Sequence, residues 1–227
     1  IAAIIVAAGQ GSRIGGALPK QFQQVGGKPL LAHTLQRFEA CEQVHDLVLI
    51  TPAEWETYAA KEIVDRFDFK KIRKIVTGGK KRQDSVYAGL CALEGPPVIV
   101  LVHDAVRPCV SSEKIGEVIE ACGKHDAAIL AVPVKDTIKV AKDGFVTDTL
   151  TRSQLWSVQT PQAFRYQLLS RAYEKAFADG VYQTDDSALV ERLGVQVKIV
   201  MGEDENIKVT VPRDLQLAEQ ILLERTG

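Results

Sequence analysis

Short apolar runs alternate with segments of helical periodicity along the whole chain. The runs are nearly continuous in apolar residues, which is typical of strands covered by helices on both faces of a parallel sheet. Strands are predicted at 1–7, 46–51, 72–77, 98–103, 127–132 and 195–200. Apolar positions that recur every three or four residues predict helices at 29–41, 53–67, 84–94, 112–122, 165–178, 185–193 and 212–225. The alternation predicts an α/β fold with a doubly wound, mostly parallel, Rossmann-like sheet and right-handed crossovers.

Residues that favour helix ends support several of these boundaries. Ser111 or Ser112 can cap a helix that Gly123 ends, because short polar side chains accept from free N–H groups and glycine tolerates a left-handed backbone. Thr184 can cap a second helix, and Pro212 suits the first turn of the last one, where its missing N–H is harmless. We expect these helices to begin at these residues.

The segment DTIKVAKDGFVTDTLTR, at 136–152, interrupts the alternation. It carries β-branched residues on both sides of Asp143-Gly144, a pair that favours a tight hairpin turn. A lone two-stranded ribbon is marginally stable in water, so this protruding β-hairpin arm must pack on something. Its own domain and a second copy of the chain are both open as the surface that it covers.

Length and composition favour one enzyme-sized domain over 1–227, with residues 134–156 as the arm. Hydrophobic residues make up 46% and charged residues 25% of the chain, and the formal net charge is -1. Such a balance predicts no nucleic-acid partner, and the longest apolar runs are too short to span a membrane. The cysteines lack the CxxC spacing of zinc sites, so we expect reduced thiols and a cytoplasmic protein; they are Cys41, Cys91, Cys109 and Cys122.

The first candidate for chemistry is the loop AAGQGSRIGGALPK, at 7–20, directly after the first predicted strand. Glycine-rich loops in this place commonly bind phosphates. The dinucleotide pattern GxGxxG fails because Ile14 stands where its third glycine belongs. The P-loop pattern fails because Ala17 and Leu18 replace its Lys and its Ser or Thr.

What remains is a loop long enough to wrap a triphosphate. Backbone N–H groups around Gly9, Gly11 and Gly15 can point at phosphate oxygens. Arg13 and Lys20 add fixed positive charge beside them. The alternative is a surface loop with solvated cations, but its position at a strand end favours binding.

Asp104 is the second candidate, in HDAVRP just past the predicted strand 98–103. Open α/β sheets place ligands at this carboxyl edge, and Mg²⁺ commonly takes one or two carboxylates together with substrate phosphates. Arg107 lies three residues further on and could pair with a phosphate. Taken alone, Asp104 would more often cap a turn; beside a phosphate loop, a metal role is favoured.

Two further groups follow predicted strands or lie in short ones. In TGGKKRQDSVYAGL, at 77–90, Gly78 and Gly79 permit close backbone approach and Ser85 lies at a helix start. The three consecutive basic residues between them would ordinarily be solvated. Lys208 stands between apolar neighbours in NIKVT, where a cation suggests a nearby anion, although its stem could also reach solvent.

Taken in order, these groups resemble one family, the 2-C-methyl-D-erythritol 4-phosphate cytidylyltransferases. The matching stretches run from residue 7 to residue 210: AAGQGSRIGGALPKQF, GGKKRQDSV, HDAVRP, VKDT, TR, QTPQAF, TDDSALVE and NIKVT. The opening glycine loop alone would indicate only the wider nucleotidyltransferase superfamily. The resemblance implies joining of CTP and methylerythritol phosphate to the CDP-linked alcohol, with release of pyrophosphate and with Mg²⁺ as the divalent cation.

The resemblance also implies roles for individual residues. It places the catalytic cations at Arg13, Lys20, Arg152 and Lys208. It places nucleotide contacts at Ala7, Ala8, Gly9, Gly11, Gly79, Arg82, Ser85, Asp104 and Ala105, with Asp104 as the metal ligand. It places the contacts with methylerythritol phosphate at Arg107, Asp136, Thr137, Arg152, Thr160, Thr184 and Lys208.

In the family that the chain resembles, the arm embraces a second subunit. Asp136, Thr137 and Arg152 lie on or beside this arm, so the resemblance implies a homodimer in which they complete the partner's substrate site. Three rival functions remain: a sibling enzyme such as ribitol-5-phosphate cytidylyltransferase, a catalytically silent nucleotide-binding module, and a NAD-dependent dehydrogenase. The missing third glycine makes the dehydrogenase the weakest of them.

Overall fold

The computed structural model describes residues 1–9 and 18–225. Within them the strands are β1 (Ala2–Val6), β2 (Gln24–Val25), β3 (Lys28–Pro29), β4 (Asp46–Thr51), β5 (Ile72–Thr77), β6 (Ile99–Asp104), β7 (Ala127–Pro133), β8 (Lys139–Lys142), β9 (Phe145–Thr149), β10 (Trp156–Arg165) and β11 (Lys198–Met201). The α-helices are α1 (Leu30–Glu39), α2 (Glu56–Tyr58), α3 (Arg82–Ala92), α4 (Ser112–His125), α5 (Tyr166–Ala178), α6 (Asp186–Glu191) and α7 (Pro212–Glu224).

One seven-stranded sheet organises the described chain, in the order β11-β7-β10-β6-β1-β4-β5. β1 runs parallel to both β4 and β6, β4 runs parallel to β5, and β11 runs parallel to β7. The order moves outwards in both directions from β1, which is the doubly wound arrangement. The sequence-based prediction of a mostly parallel α/β sheet is confirmed.

β10 is the strand of this sheet that the apolar pattern did not predict. It lies between β6 and β7 and runs antiparallel to both. Its sequence WSVQTPQAFR mixes polar residues with a proline, which cannot donate to a ladder. The pairing with β7 shifts register between Val158 and Gln162, so Pro161 lies in an irregular stretch where a missing N–H is tolerated.

Alternate residues of each central strand face opposite layers of helices. Ile5 and Leu101 pack in the cluster that includes Leu35 of α1 and Val118 of α4. Ile4 and Val102 point the other way, into the cluster that contains residues of α3 and α5. Both faces of the sheet are therefore buried, as the nearly continuous apolar runs indicate.

Two of the predicted helix ends are correct and two are wrong. Ser111 caps α4 by accepting from the Lys114 N–H, and Pro212 opens α7. Gly123 lies inside α4, which continues to Asp126 in the left-handed region at φ 64°. The α6 cap is Asp185 rather than Thr184, because its carboxylate accepts from the Ala188 N–H.

The predicted helix at 53–67 is irregular. It begins as a 3₁₀ turn at Ala53–Trp55, continues as the short α2 and ends as a π-helix at Ala59–Asp65. Ala59 and Ile63 are the residues of the π-helix that are buried against the sheet. The apolar period therefore located the segment but not its hydrogen-bonding pattern.

The predicted arm is a two-stranded ribbon, β8 paired with β9, with its turn at Asp143-Gly144. Every residue of both strands is exposed, including Phe145 at 78% and Val146 at 62%. Packing of the ribbon on its own domain, one of the two options left open by the sequence, is therefore wrong. No helix in the described ranges is long and apolar enough to cross a membrane.

Two helical glycines give a matched test of this packing. A Cβ on Gly89 of α3 would lie 2.7 Å from Ile4 Cγ2 and 2.9 Å from Ile50 Cδ1, whereas one on Gly123 of α4 would meet nothing within 4 Å. Gly89→Ala should lower the free energy of unfolding by about 1–3 kcal/mol through overpacking. Gly123→Ala should raise it by about 0.5–1 kcal/mol, because alanine favours helix.

Urea unfolding of both variants measures the difference. A stabilised Gly89→Ala protein would contradict the close approach of α3 to the sheet. A destabilised Gly123→Ala protein would contradict the position of Gly123 in an open, regular turn of α4.

Candidate functional site

The candidate site lies at the carboxyl ends of the central parallel strands. Val6 at the end of β1 is in register with Asp104 at the end of β6, and β5 ends nearby at Thr77, directly before Gly78. These ends surround a cavity of about 500 Å³. Its lining residues are Val6, Ala7, Ala8, Gly9, Lys20, Gln21, Gly79, Lys80, Lys81, Arg82, Ser85, Asp104, Val106 and Lys208.

Asp104 is the charged centre of this cavity. Its Oδ2 lies 2.8 Å from Lys208 Nζ and 3.8 Å from Arg107 Nε, and its Oδ1 lies 3.3 Å from Arg82 Nε. Burial by itself would raise the pKa of Asp104, but Arg82, Lys208 and Arg107 outweigh it and hold this pKa well below its usual range. Asp104 is therefore ionised throughout the neutral range.

A hydrogen-bonded chain behind Asp104 fixes its backbone. The Asp104 N–H donates to Thr160 Oγ1 at 3.0 Å, and the Thr160 hydroxyl lies 3.0 Å from His103 Nδ1. His103 Nε2 faces the Arg107 carbonyl at 3.2 Å, so Nε2 carries the proton and Nδ1 accepts from Thr160. Burial lowers the pKa of His103 to about 3, so the ring is neutral at physiological pH.

Segment 206–209 brings Lys208 to the cavity. The Val209 N–H donates to the Val106 carbonyl at 2.9 Å, and Arg107 Nη1 donates to the Asn206 carbonyl at 2.7 Å. The buried Asn206 side chain in turn donates to the Thr160 carbonyl at 2.9 Å. These contacts tie the segment to the loop after β6 and to β10, which places Lys208 beside Asp104.

Gly78 lets the loop after β5 approach the loop after β1 closely. A Cβ at Gly78 would overlap the Cβ of Ala8 and lie 2.9 Å from Ser85 Oγ. The Gly79 N–H donates to Ser85 Oγ at 3.1 Å, which joins the loop to the first turn of α3. Ala7, Ala8, Gly9 and Gly79 therefore line the cavity together as a glycine-rich wall.

Lys20, the second cation of the glycine loop, is held next to Lys208. Lys20 Nζ donates to the Val209 carbonyl at 3.3 Å, so Lys20 and Lys208 come from distant stretches of sequence to the same cavity. Gln21 lies beside Lys20 and was not predicted. Its buried amide donates to the carbonyls of Ala7 at 2.6 Å and Gly9 at 3.3 Å, which anchors the start of the glycine loop.

The structure brings together about half of the residues that the sequence singled out. The predicted residues that line the cavity are Ala7, Ala8, Gly9, Lys20, Gly79, Arg82, Ser85, Asp104 and Lys208. Gly11 and Arg13 lie outside the described residues. The predicted residues that do not line it are Ala105, Arg107, Asp136, Thr137, Arg152, Thr160 and Thr184.

These outlying residues fall into two groups. Ala105, Arg107 and Thr160 are buried next to Asp104: Ala105 follows it in the chain, Thr160 accepts from its N–H, and Arg107 pairs with its carboxylate. Asp136, Thr137, Arg152 and Thr184 are exposed on the surface of the chain. Arg152 donates to the Lys135 carbonyl at 3.1 Å, beside the base of the arm.

The sequence did not predict a role in the cavity for Lys80 and Lys81. Lys80 and Lys81 line the cavity, although runs of basic residues are usually solvated, and Lys81 Nζ lies 3.5 Å from the ring centre of Tyr182. Their place directly after the glycine pair was the available signal. For Gln21 nothing in the sequence distinguishes a buried amide from an exposed one.

Asp104 is the one acidic side chain among the described residues that line the cavity. Among the residues described, no group of three or more His, Cys, Asp and Glu side chains could hold a metal ion. A single carboxylate in a cavity that can admit phosphates nevertheless fits Mg²⁺. This ion prefers oxygen ligands and usually keeps waters and substrate phosphates in its coordination shell. Asp104 is therefore the candidate protein ligand for a cation that arrives with phosphates.

Comparisons with known proteins agree over the whole chain. A family model described as 2-C-methyl-D-erythritol 4-phosphate cytidylyltransferase matches residues 1–224. Proteins of that name from Pelotomaculum thermopropionicum and Geobacter metallireducens are 46% and 44% identical, covering 100% and 98% of this chain and 96% and 97% of their own.

A solved structure shows the same fold. The 4-diphosphocytidyl-2C-methyl-D-erythritol synthase from Anaerococcus prevotii superposes with a TM-score of 0.86 at 36% identity, covering 98% of this chain and 97% of its own. The sequence match and the structural match extend over the same full length. The chain belongs to the 2-C-methyl-D-erythritol 4-phosphate cytidylyltransferase family.

Proposed function

We propose that this protein catalyses its family's reaction in the cavity around Asp104. The phosphate of 2-C-methyl-D-erythritol 4-phosphate attacks the α-phosphorus of CTP, the bond from that phosphorus to the bridging oxygen breaks, and pyrophosphate leaves. The product is 4-diphosphocytidyl-2-C-methyl-D-erythritol. The observation that carries this location is the convergence of Lys20, Arg82 and Lys208 on one cavity at the carboxyl edge of the sheet.

The residues around the cavity suit this chemistry because the nucleophile needs no activation. A phosphate oxygen is already anionic, so catalysis rests on positioning and on neutralising charge in the transition state. Lys20, with Arg13 in the preceding loop, is proposed to stabilise charge on the α-phosphorus. Lys208 is proposed to hold the attacking phosphate beside it. His103, neutral and enclosed beneath the floor, is not used as a base.

The cytidine is proposed to lie along the glycine wall. Ala7, Ala8 and Gly79 line the cavity with small side chains or none, and Ser85 accepts from the Gly79 N–H and so holds that loop in place. Backbone donors and acceptors in fixed positions distinguish base edges without flexible side chains. The nucleotide is thereby placed with its triphosphate over the strand ends, where the cations lie.

Asp104 is proposed to be the protein ligand for Mg²⁺ that enters with CTP. When bound, Mg²⁺ neutralises phosphate charge and so reduces the repulsion that the incoming anion meets. The ionised Asp104 carboxylate supplies the oxygen that such a cation prefers. Arg82 and Lys208 already surround this carboxylate, so they help to balance its charge in the absence of substrate.

The active unit is proposed to be a homodimer formed through the arm. β8 and β9 expose Val140, Phe145 and Val146, and a ribbon whose strands are exposed along their whole length needs a partner to bury them. In such a dimer Asp136, Thr137 and Arg152 would reach the cavity of the partner subunit. We also propose a cytoplasmic location, in keeping with the free thiols of all four cysteines.

Pyrophosphate release with two acceptors tests the proposed reaction. With CTP and Mg²⁺, the protein should release pyrophosphate rapidly with 2-C-methyl-D-erythritol 4-phosphate and at least about 100-fold more slowly, by kcat/KM, with ribitol 5-phosphate, because a polar site rejects a misplaced hydroxyl pattern. Chelation of the divalent cation should abolish the signal. A preference for ribitol 5-phosphate would contradict the acceptor, and absence of turnover with both would contradict the enzyme.

Two variants test whether residues of both subunits form each cavity. Lys20→Ala should reduce kcat by at least about 100-fold, the scale for removing one preorganised charge contact. Arg152→Ala should impair mainly the use of the methylerythritol phosphate. If Arg152 acts on the partner's cavity, mixing the two homodimers should restore about a quarter of wild-type activity, because half of the dimers become mixed and each mixed dimer has one intact site.

Subunit exchange must be complete before the mixture is assayed. Lys124→Ala is the matched control for the removal of a lysine side chain. Lys124 is an exposed lysine near the end of α4, and its removal should leave turnover unchanged. If the mixture stays as inactive as the separate variants although the subunits exchange, Arg152 serves its own subunit. Loss of CTP affinity alone in Arg152→Ala would also contradict the assignment.

A further inference from the structure

Arg82 lies between two carboxylates, and only one of them belongs to the cavity. Its Nε lies 3.3 Å from Asp104 Oδ1, and its Nη1 lies 2.8 Å from Asp186 Oδ2. The Asp186 side chain is 1% exposed, against 25% for Arg82, so the shorter ion pair is also the more enclosed one. One end of the guanidinium is therefore fixed in the protein interior while the other faces the site.

Asp186 is itself held by an interior aromatic side chain. The hydroxyl of Tyr173 donates to Asp186 Oδ1. Tyr173 is fully buried in α5 and stacks on Tyr87 of α3 with ring centres 5.8 Å apart. Because α3 also carries Arg82 at its first position, the tyrosine pair ties the helix of the arginine to the helix of its anchor.

Backbone geometry fixes Asp186 from the other side. It is the first residue of α6, directly after the cap Asp185. Asp185 accepts from the side chains of Gln162 at 2.8 Å and Ser187 at 2.7 Å, which ties the start of α6 to β10. Asp186 therefore has little room to follow Arg82 if the arginine moves.

An interior carboxylate of this kind is costly unless a cation stays beside it. Asp186 has Arg82 as its one ion-pair partner within the described residues. Burial by itself would lower the pKa of Arg82, but Asp186 and Asp104 outweigh it and raise this pKa, so Arg82 stays charged. The attraction works in both directions: Arg82 makes Asp186 tolerable, and Asp186 prevents Arg82 from folding wholly onto Asp104.

We propose that Asp186, held by Tyr173, is a positioning residue for nucleotide binding that acts through Arg82. By holding Nη1 it limits Arg82 to a single-nitrogen contact with Asp104 and keeps the guanidinium at the cavity wall. This inference rests on the proposed function in so far as the ligand of the cavity is CTP. None of the sequence motifs distinguishes Asp186 from its neighbour Asp185, which is an ordinary helix cap.

Asp186→Asn tests the proposal because it keeps the shape and the oxygen that accepts from Tyr173 while removing the charge. The KM for CTP, and the dissociation constant for CTP by calorimetry, should rise about 10- to 100-fold, the usual scale for losing a partner behind a ligand-contacting group. The KM for 2-C-methyl-D-erythritol 4-phosphate should change by less than about twofold, since the side-chain partners of Asp186 among the described residues are Arg82 and Tyr173, neither of which is a proposed acceptor contact. In the ligand-free protein, the Arg82 Nε–H proton, followed through its ¹⁵N signal, should exchange with water more slowly, because the freed guanidinium turns wholly onto Asp104.

A double-mutant cycle separates action through Arg82 from a general structural role. Combined with Arg82→Met, Asp186→Asn should add little further loss of CTP affinity, because the group that it positions is gone. Tyr173→Phe keeps the carboxylate and frees it, so its effect on CTP should have the same direction and be smaller. Asp179→Asn is the control: it removes an Asp–Arg ion pair of 2.7 Å with Arg192 on the surface and should change neither KM.

The possible outcomes separate this proposal from the proposed function. Absence of turnover by the wild-type protein would overturn the function, whereas the exchange of Arg82 Nε–H in ligand-free Asp186→Asn still decides the positioning role. Unchanged CTP affinity in Asp186→Asn, a fall in kcat with both KM values unchanged, or additive losses with Arg82→Met would overturn the inference. Should Asp186→Asn fail to fold, Tyr173→Phe decides by the same CTP affinity and the same Arg82 signal.

Discussion

The Asp104 carboxylate and its three cations are the interaction on which this site depends. A buried carboxylate is unfavourable unless positive charge and hydrogen bonds replace its water, and here Arg82, Arg107 and Lys208 supply the charge. They come from the start of α3, the loop after β6 and the segment before α7. One electrostatic requirement therefore fixes three stretches that are far apart in sequence around a single cavity.

The same requirement explains why hydrogen bonds support the backbone of Asp104. Its N–H donates to Thr160, and neutral His103 accepts from Thr160 and donates to the carbonyl of Arg107. An imidazolium at this place would be a fourth cation shielded from solvent. Burial disfavours that charge, lowers the pKa of His103 and keeps its ring neutral. The histidine before Asp104 is thus part of the support of the site and not of its chemistry.

The sequence was most informative where one residue type has one physical use. Buried parallel strands must be apolar on both faces, so their positions could be predicted; β10 could not, because Pro161 and its polar neighbours resemble a loop unless a register shift is known. Similarly, the sequence placed Asp104 at a strand end. It could not select Asp186 over Asp185, since only the packing of α3, α5 and α6 decides which carboxylate meets Arg82.

In the proposed reaction, Asp104 is both the counter-ion of the cations and the ligand of the metal. Calorimetric affinities for CTP, with and without Mg²⁺, test it in the wild type and in Asp104→Asn. Without Mg²⁺ the variant should bind CTP more tightly than the wild type, because the cations are no longer neutralised, and Mg²⁺ should strengthen binding only in the wild type. If Mg²⁺ strengthens CTP binding equally in both proteins, Asp104 is not the metal ligand and the account is wrong.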